Sequence, residues 1–159
     1  MHAATRVMAL GMVCALAAAA TGTSVLADQP KPDFVIDLVQ GPPILTPGLS
    51  GTFTIKIRNT GSTPGPLEVF FVFAGKLDQT DQVRADSGIA CEIRHDAGIN
   101  AAVRCTGGTI GPGQTATFIL QGRGQAAGVG QLVTTINPSH SLPESSYDNN
   151  FSQVNVSFE

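Results

Sequence analysis

Between Thr52 and Arg58 the chain alternates strictly. Phe53, Ile55 and Ile57 fall on one side, and Thr52, Thr54, Lys56 and Arg58 on the other. Only an extended strand sends successive side chains to opposite faces, so this stretch demands a sheet with one dry face and one wet face. The rhythm recurs. Phe34, Ile36 and Leu38 alternate with Val35, Asp37 and Val39, and Ala116, Phe118 and Leu120 with Thr115, Thr117, Ile119 and Gln121. Val154, Val156 and Phe158 close the chain in the same way.

Leu67–Ala74 departs from this pattern because it is apolar on both sides. Leu67, Val69, Phe71 and Phe73 share one face, Phe70 and Val72 share the other, and Glu68 is the only charge. Such a strand is central, or its second face is covered. Phe70 and Val72 are therefore a candidate interface; the plainer reading is that another strand or the segment at 75–88 lies over them.

Breakers divide the runs: Gly41-Pro42-Pro43, Pro47-Gly48, the stretch from Asn59 to Pro66, and Gly111-Pro112-Gly113. Ile89–Arg94 and Ala101–Thr106 read as two short strands around a hairpin loop at 95–100, and Val129–Asn137 as a strand stopped by Pro138. Gly75–Gly88 is polar and holds Asp78, Asp81 and Asp86, so it reads as a long surface loop. No 3.6-residue period follows the first 27 residues. About eight short strands with short connections mean an all-β sandwich or barrel with antiparallel pairing, without a parallel sheet or a nucleotide crevice.

Residues 1–27 have the anatomy of a secretory signal peptide. Arg6 precedes an apolar run from Val7 to Ala20, and Ser-Val-Leu-Ala leads to a cut after Ala27. Residues 28–32 are then a flexible leader and 33–159 one domain. Cys14 leaves with the signal, so Cys91 and Cys105 remain as an even pair in an oxidising, secreted or periplasmic compartment, where a disulfide is the natural reading. Closing a loop of that size is worth about 3 kcal/mol on the chain-entropy account. The whole chain carries a formal net charge of −3, and loss of Arg6 makes the remainder one unit more negative. That balance speaks against nucleic acid and anionic membranes, which need clustered Lys and Arg. Nothing after the signal is apolar for long enough to span a bilayer as a helix, so no membrane insertion is expected.

Several motifs in order suggest a family. Pro32-Asp33-Phe34-Val35-Ile36 opens the domain. Pro47-Gly48 precedes Phe53-Thr54-Ile55-Lys56-Ile57-Arg58-Asn59-Thr60-Gly61. Val103-Arg104-Cys105 leads to Gly108, Ile110 and Pro112-Gly113-Gln114. Asn137-Pro138, Pro143-Glu144-Ser145 and Asp148-Asn149-Asn150-Phe151 come last. Together they resemble the bacterial immunoglobulin-like modules called CARDB, a cell-adhesion-related domain, and the related conserved-repeat domains of bacterial surface proteins. The resemblance implies an immunoglobulin-like antiparallel β-sandwich of about seven or eight strands. Its core would take Ile36, Phe53, Ile55, Ile57, Val69, Phe71, Phe118, Leu120, Val154 and Val156. The family often occurs as tandem repeats, and no internal repeat is visible here.

No residue set carries chemistry on its own. His95 and His140 stand in loops without a Gly-x-Ser-x-Gly elbow, and the pair of cysteines lacks a Cys-x-x-Cys context or further zinc ligands. Oxygen-rich loops admit calcium as a minority reading, with Glu144, Asp148 and Asn149 as ligands; Asp78, Asp81 and Asp86 form a second such group. Asn150-Phe151-Ser152 and Asn155-Val156-Ser157 match the glycosylation triplet, a pattern common by chance that would mean little in a bacterial protein. The expectation is a secreted non-enzyme without a cofactor that binds an exported protein or a cell-surface or glycan component. The alternative is a structural accessory that works by β-strand augmentation.

Overall fold

The computed structural model describes residues 29–86, 88–95 and 100–159; the expected signal peptide, and positions 96–99 of the expected hairpin loop, lie outside the described residues. Ten strands follow in order: β1 (Phe34–Gln40), β2 (Ile44–Leu45), β3 (Ser50–Asn59), β4 (Gly65–Gly75), β5 (Leu77–Ala85), β6 (Ile89–Arg94), β7 (Ala101–Ile110), β8 (Thr115–Gly124), β9 (Gly128–Ile136) and β10 (Phe151–Phe158). A four-stranded sheet has the order β1-β3-β8-β5, and a six-stranded sheet the order β2-β10-β9-β4-β7-β6. The fold is an all-β, immunoglobulin-like sandwich. Among the described residues no helix is long and apolar enough to cross a membrane.

The alternation does what it demanded. Phe53, Ile55 and Ile57 of β3 and Ala116, Phe118 and Leu120 of β8 face inward from one sheet, while Leu67, Val69, Phe71 and Phe73 of β4 and Leu132 and Ile136 of β9 face them from the other; all are buried. The sheets interlock through aromatic pairs, Phe53 edge-on to Phe73 at 6.4 Å and Phe71 tilted on Phe118 at 5.2 Å. Each such side chain contributes about 1.5–3 kcal/mol by leaving water. Ile36 and Val154, also expected inside, are only partly buried but pack against this core.

Three expectations are corrected. Gly75–Gly88 is not a loop: Leu77–Ala85 is β5, an edge strand paired with β8. Gly75 adopts a positive φ of 67° at the corner where the chain passes from the six-stranded to the four-stranded sheet, and a Cβ there would sit 2.6 Å from the Val129 carbonyl. The strand escapes a pattern search because its pairing slips between Gln79 and Val83, which breaks the period of two. A bulge at Asp37 likewise splits β1, so Ile36 pairs with Ile57 but Val39, not Leu38, pairs with Ile55 on the core side. Finally, the pairing is not all antiparallel. Ile44–Leu45 runs parallel to Ser157–Phe158, because the chain crosses from one sheet to the other after β1.

One end of the sandwich is sealed by amides. Asn59, at the close of β3, is fully buried and satisfied: Nδ2 donates to the Thr63 and Ile110 carbonyls, both at 2.8 Å, and Oδ1 accepts from the N–H groups of Asp33 and Gly61. This is the physical content of the Asn-Thr-Gly motif. A single side chain ties the start of β1 to the ends of β3 and β7.

Candidate interaction face

Cys91 and Cys105 are directly opposite on β6 and β7 and form a disulfide. Cys105 is buried, while Cys91 is partly exposed at the sheet edge. The bridge therefore staples the edge strand to the core.

The oxygen-rich residues turn inward or stand apart. Glu144 is buried, and its carboxylate accepts from the Phe34 N–H at 3.1 Å, Asn137 Nδ2 at 2.9 Å and Asn150 Nδ2 at 3.0 Å. Asn149 donates to Asp33, and Asp148 is exposed with its N–H on Ser146. Asp78, on β5, accepts from the Gln79 N–H and from Gln125 Nε2, whereas Asp86 accepts from the Thr117 N–H. Among the described residues no group of three His, Cys, Asp or Glu is arranged to hold a metal ion. His140 stacks on Tyr147 at 4.1 Å, and the exposed His95 ring lies 3.2 Å from the Asn100 carbonyl. Asn150, first in a glycosylation triplet, is buried against Glu144.

Phe70 and Val72 lie on the outer face of the six-stranded sheet, and the segment expected to lie over them has gone to the other sheet as β5. Register assembles their neighbours. One row across the strands reads Phe151, Thr135, Phe70, Arg104 and Glu92; the next reads Gln153, Val133, Val72, Ala102 and Arg94. A third apolar group, Ile44 and Val129, flanks Ser157 further along. Phe151 is 61% exposed, while Phe70, Val72 and Val133 are half-buried. The guanidinium of Arg104 lies 5.7 Å from the centre of the Phe70 ring and bonds Glu68 at 2.7 Å.

Strands β2, β9 and β10 carry no ionisable side chain at all. The β2–β10–β9 half of this face is thus uncharged, with Thr135, Gln153, Gln131, Asn155 and Ser157 among its apolar side chains, and the Arg104–Glu68 ion pair lies beside Phe70 on β7 and β4. The outer face of the four-stranded sheet is charged as well as polar. It presents Thr52, Thr54, Lys56 and Arg58 beside Thr115, Thr117, Ile119 and Gln121, and Arg58 pairs with Asp37 at 3.1 Å. Sequence reading found Phe70 and Val72 from a doubly apolar strand. It missed Val133 and Phe151, whose strands look one-sided until register places Val133 opposite Val72 and Phe151 across Thr135 from Phe70.

No protein-family model matches the sequence, and no curated protein matches it either. Solved structures do. The CARDB domain of a Pyrococcus furiosus protein, determined in complex with two metal ions, aligns with a TM-score of 0.56 at 13% identity over 81% of this chain and 90% of that one. A solution structure of the same domain aligns equally well and covers 96% of that chain. A cohesin module from a family 33 glycoside hydrolase of Clostridium perfringens aligns with a TM-score of 0.55 at 8% identity, over 82% of this chain and 98% of that one. At these identities the likeness is one of fold: the chain shares its sandwich with CARDB and cohesin modules.

Proposed function

We propose that the chain is an exported, non-catalytic binding module that holds a protein partner on the outer face of its six-stranded sheet. The observation that carries this reading is the juxtaposition of Phe151, Phe70, Val72 and Val133 on a face whose three strands β2, β9 and β10 are free of charge. Depletion of charge together with exposed aromatic side chains is characteristic of the central part of protein-binding patches. The Cys91–Cys105 bridge suits an oxidising compartment. The shared frame with CARDB and cohesin modules supports a domain that presents a surface.

The test is site-specific photocrosslinking in the source cell. A benzophenone side chain at Phe151 is expected to capture an exported protein, and one at Ile119, on the opposite sheet, is not. Phe151→Asp should abolish capture by a probe at Val133 while leaving the melting curve unchanged. Equal capture from both faces, or none from either, would overturn the reading.

A further inference from the structure

Among the described residues each sheet has two edges. In the four-stranded sheet β1 is bent by the bulge at Asp37 and β5 slips between Gln79 and Val83; in the six-stranded sheet β2 has only two residues, and the part of β10 left open beyond it, Phe151 to Val156, carries no charge to fix a register. Bulges and very short edge strands are how sheets avoid adding neighbours. β6 has none of these protections. It runs in unbroken register with β7 from Ile89 to Arg94 and contains neither proline nor glycine.

The backbone groups on its open side can be assigned. The Cα atoms of Cys91 and Cys105 are 4.0 Å apart, the spacing of a non-hydrogen-bonded antiparallel pair. The neighbouring pair agrees, since Gly108 donates to the Gly88 carbonyl. Residues 88, 90, 92 and 94 therefore bond β7, and the N–H and C=O groups of Cys91 and Ile93 point out from the edge. The Ile89 N–H is already taken by the Asp86 carbonyl.

We propose that this edge pairs with β6 of a second copy of the chain, antiparallel about a two-fold axis at Ile93. Charge selects the register. With Ile93 opposite itself, Glu92 faces Arg94 of the second copy, twice, in the closely spaced non-hydrogen-bonded positions. Shifting by one step places Glu92 opposite Glu92, which is repulsive. Shifting by two places Cys91 opposite itself, leaves both charges without cross-strand partners and requires the occupied Ile89 amide. In the single chain Glu92 and Arg94 already bond each other at 3.1 Å on an exposed face. An exposed pair of that kind contributes little on its own.

The dimer joins two six-stranded sheets into one and sets both outer faces on the same side. Two weak partner contacts would then act together. The pairing does not depend on what binds that face.

Sedimentation of the purified protein from micromolar to millimolar concentration is expected to show a monomer–dimer equilibrium. Glu92→Arg should weaken it about tenfold or more, because both cross-strand attractions become repulsions. Adding Arg94→Glu to that variant should restore it. Hydrogen exchange gives the second readout. The Cys91 and Ile93 amides should gain protection as concentration rises, while those of Ala90, Glu92 and Arg94 are protected throughout. A chain that stays monomeric at millimolar concentration, a dimer indifferent to Glu92→Arg, or one not rescued by the double exchange would overturn the proposal.

Discussion

Glu144, in the loop before the last strand, accepts a hydrogen bond at 3.1 Å from the backbone N–H of Phe34, the first residue of the first strand. One carboxylate thus closes the sandwich across 110 positions of sequence. Its other oxygen holds Asn137 and Asn150. Glu144→Ala would leave the Phe34 N–H and Asn150 Nδ2 without this acceptor, at about 1–3 kcal/mol for each buried orphan, while Asn137 Nδ2 keeps the Leu142 carbonyl. Chemical denaturation should show a loss of at least about 2 kcal/mol. Glu144→Gln should also lose stability, because the new amide turns a donor toward a donor.

The same geometry bears on calcium. A carboxylate already serving three N–H donors would give up those bonds by turning to a cation. Millimolar calcium is expected to leave the melting temperature unchanged, whereas a ligand present well above its dissociation constant would raise it. A calcium-dependent rise that Glu144→Gln removes would contradict this.

Reduction should loosen the β6 edge. Replacing Cys91 and Cys105 by serine is expected to lower stability by about 3 kcal/mol, the entropy of the loop they close. The loss should appear as faster hydrogen exchange in β6 than in β3 or β8, because only β7 holds that strand in its sheet.

Gly124 ends β8 where a Cβ would lie 2.3 Å from the Phe158 ring. Gly124→Ala must displace that buried ring, and overpacking of this kind costs about 1–3 kcal/mol. The midpoint of denaturation measures it. Phe158→Leu, combined with Gly124→Ala, should recover part of the loss.

Phenylalanines on the two sides of the six-stranded sheet should behave oppositely. Phe71→Ala empties the centre of the core and should cost about 3–5 kcal/mol. Phe151→Ser, at a side chain 61% exposed, should stay within about 0.5 kcal/mol of the parent. Parallel melts of the two variants check the contrast.

Much of this architecture was legible in the chain. Phe53, Ile55 and Ile57, or Ala116, Phe118 and Leu120, can be buried together only on a strand, because a period of two leaves a helix no continuous dry side. The paired cysteines, the doubly apolar β4 and the candidate face at Phe70 and Val72 followed from the same local reasoning. β5 did not. Its acidic residues resemble a loop, and the slip between Gln79 and Val83 destroys the only signal a strand sends. Nor could Glu144 be known as a buried clasp, since a carboxylate in a polar stretch looks like any solvated one until Phe34 is brought to it.

Local alternation determined which residues are dry, and so the sandwich itself. Only the tertiary structure decided which strands are neighbours, which edges are left regular, and that Val133 stands opposite Val72 with Phe151 across Thr135 from Phe70. Those facts depend on register between distant segments. Register is set by the packing of whole faces and by bulges such as that at Asp37, quantities that no short stretch of sequence contains.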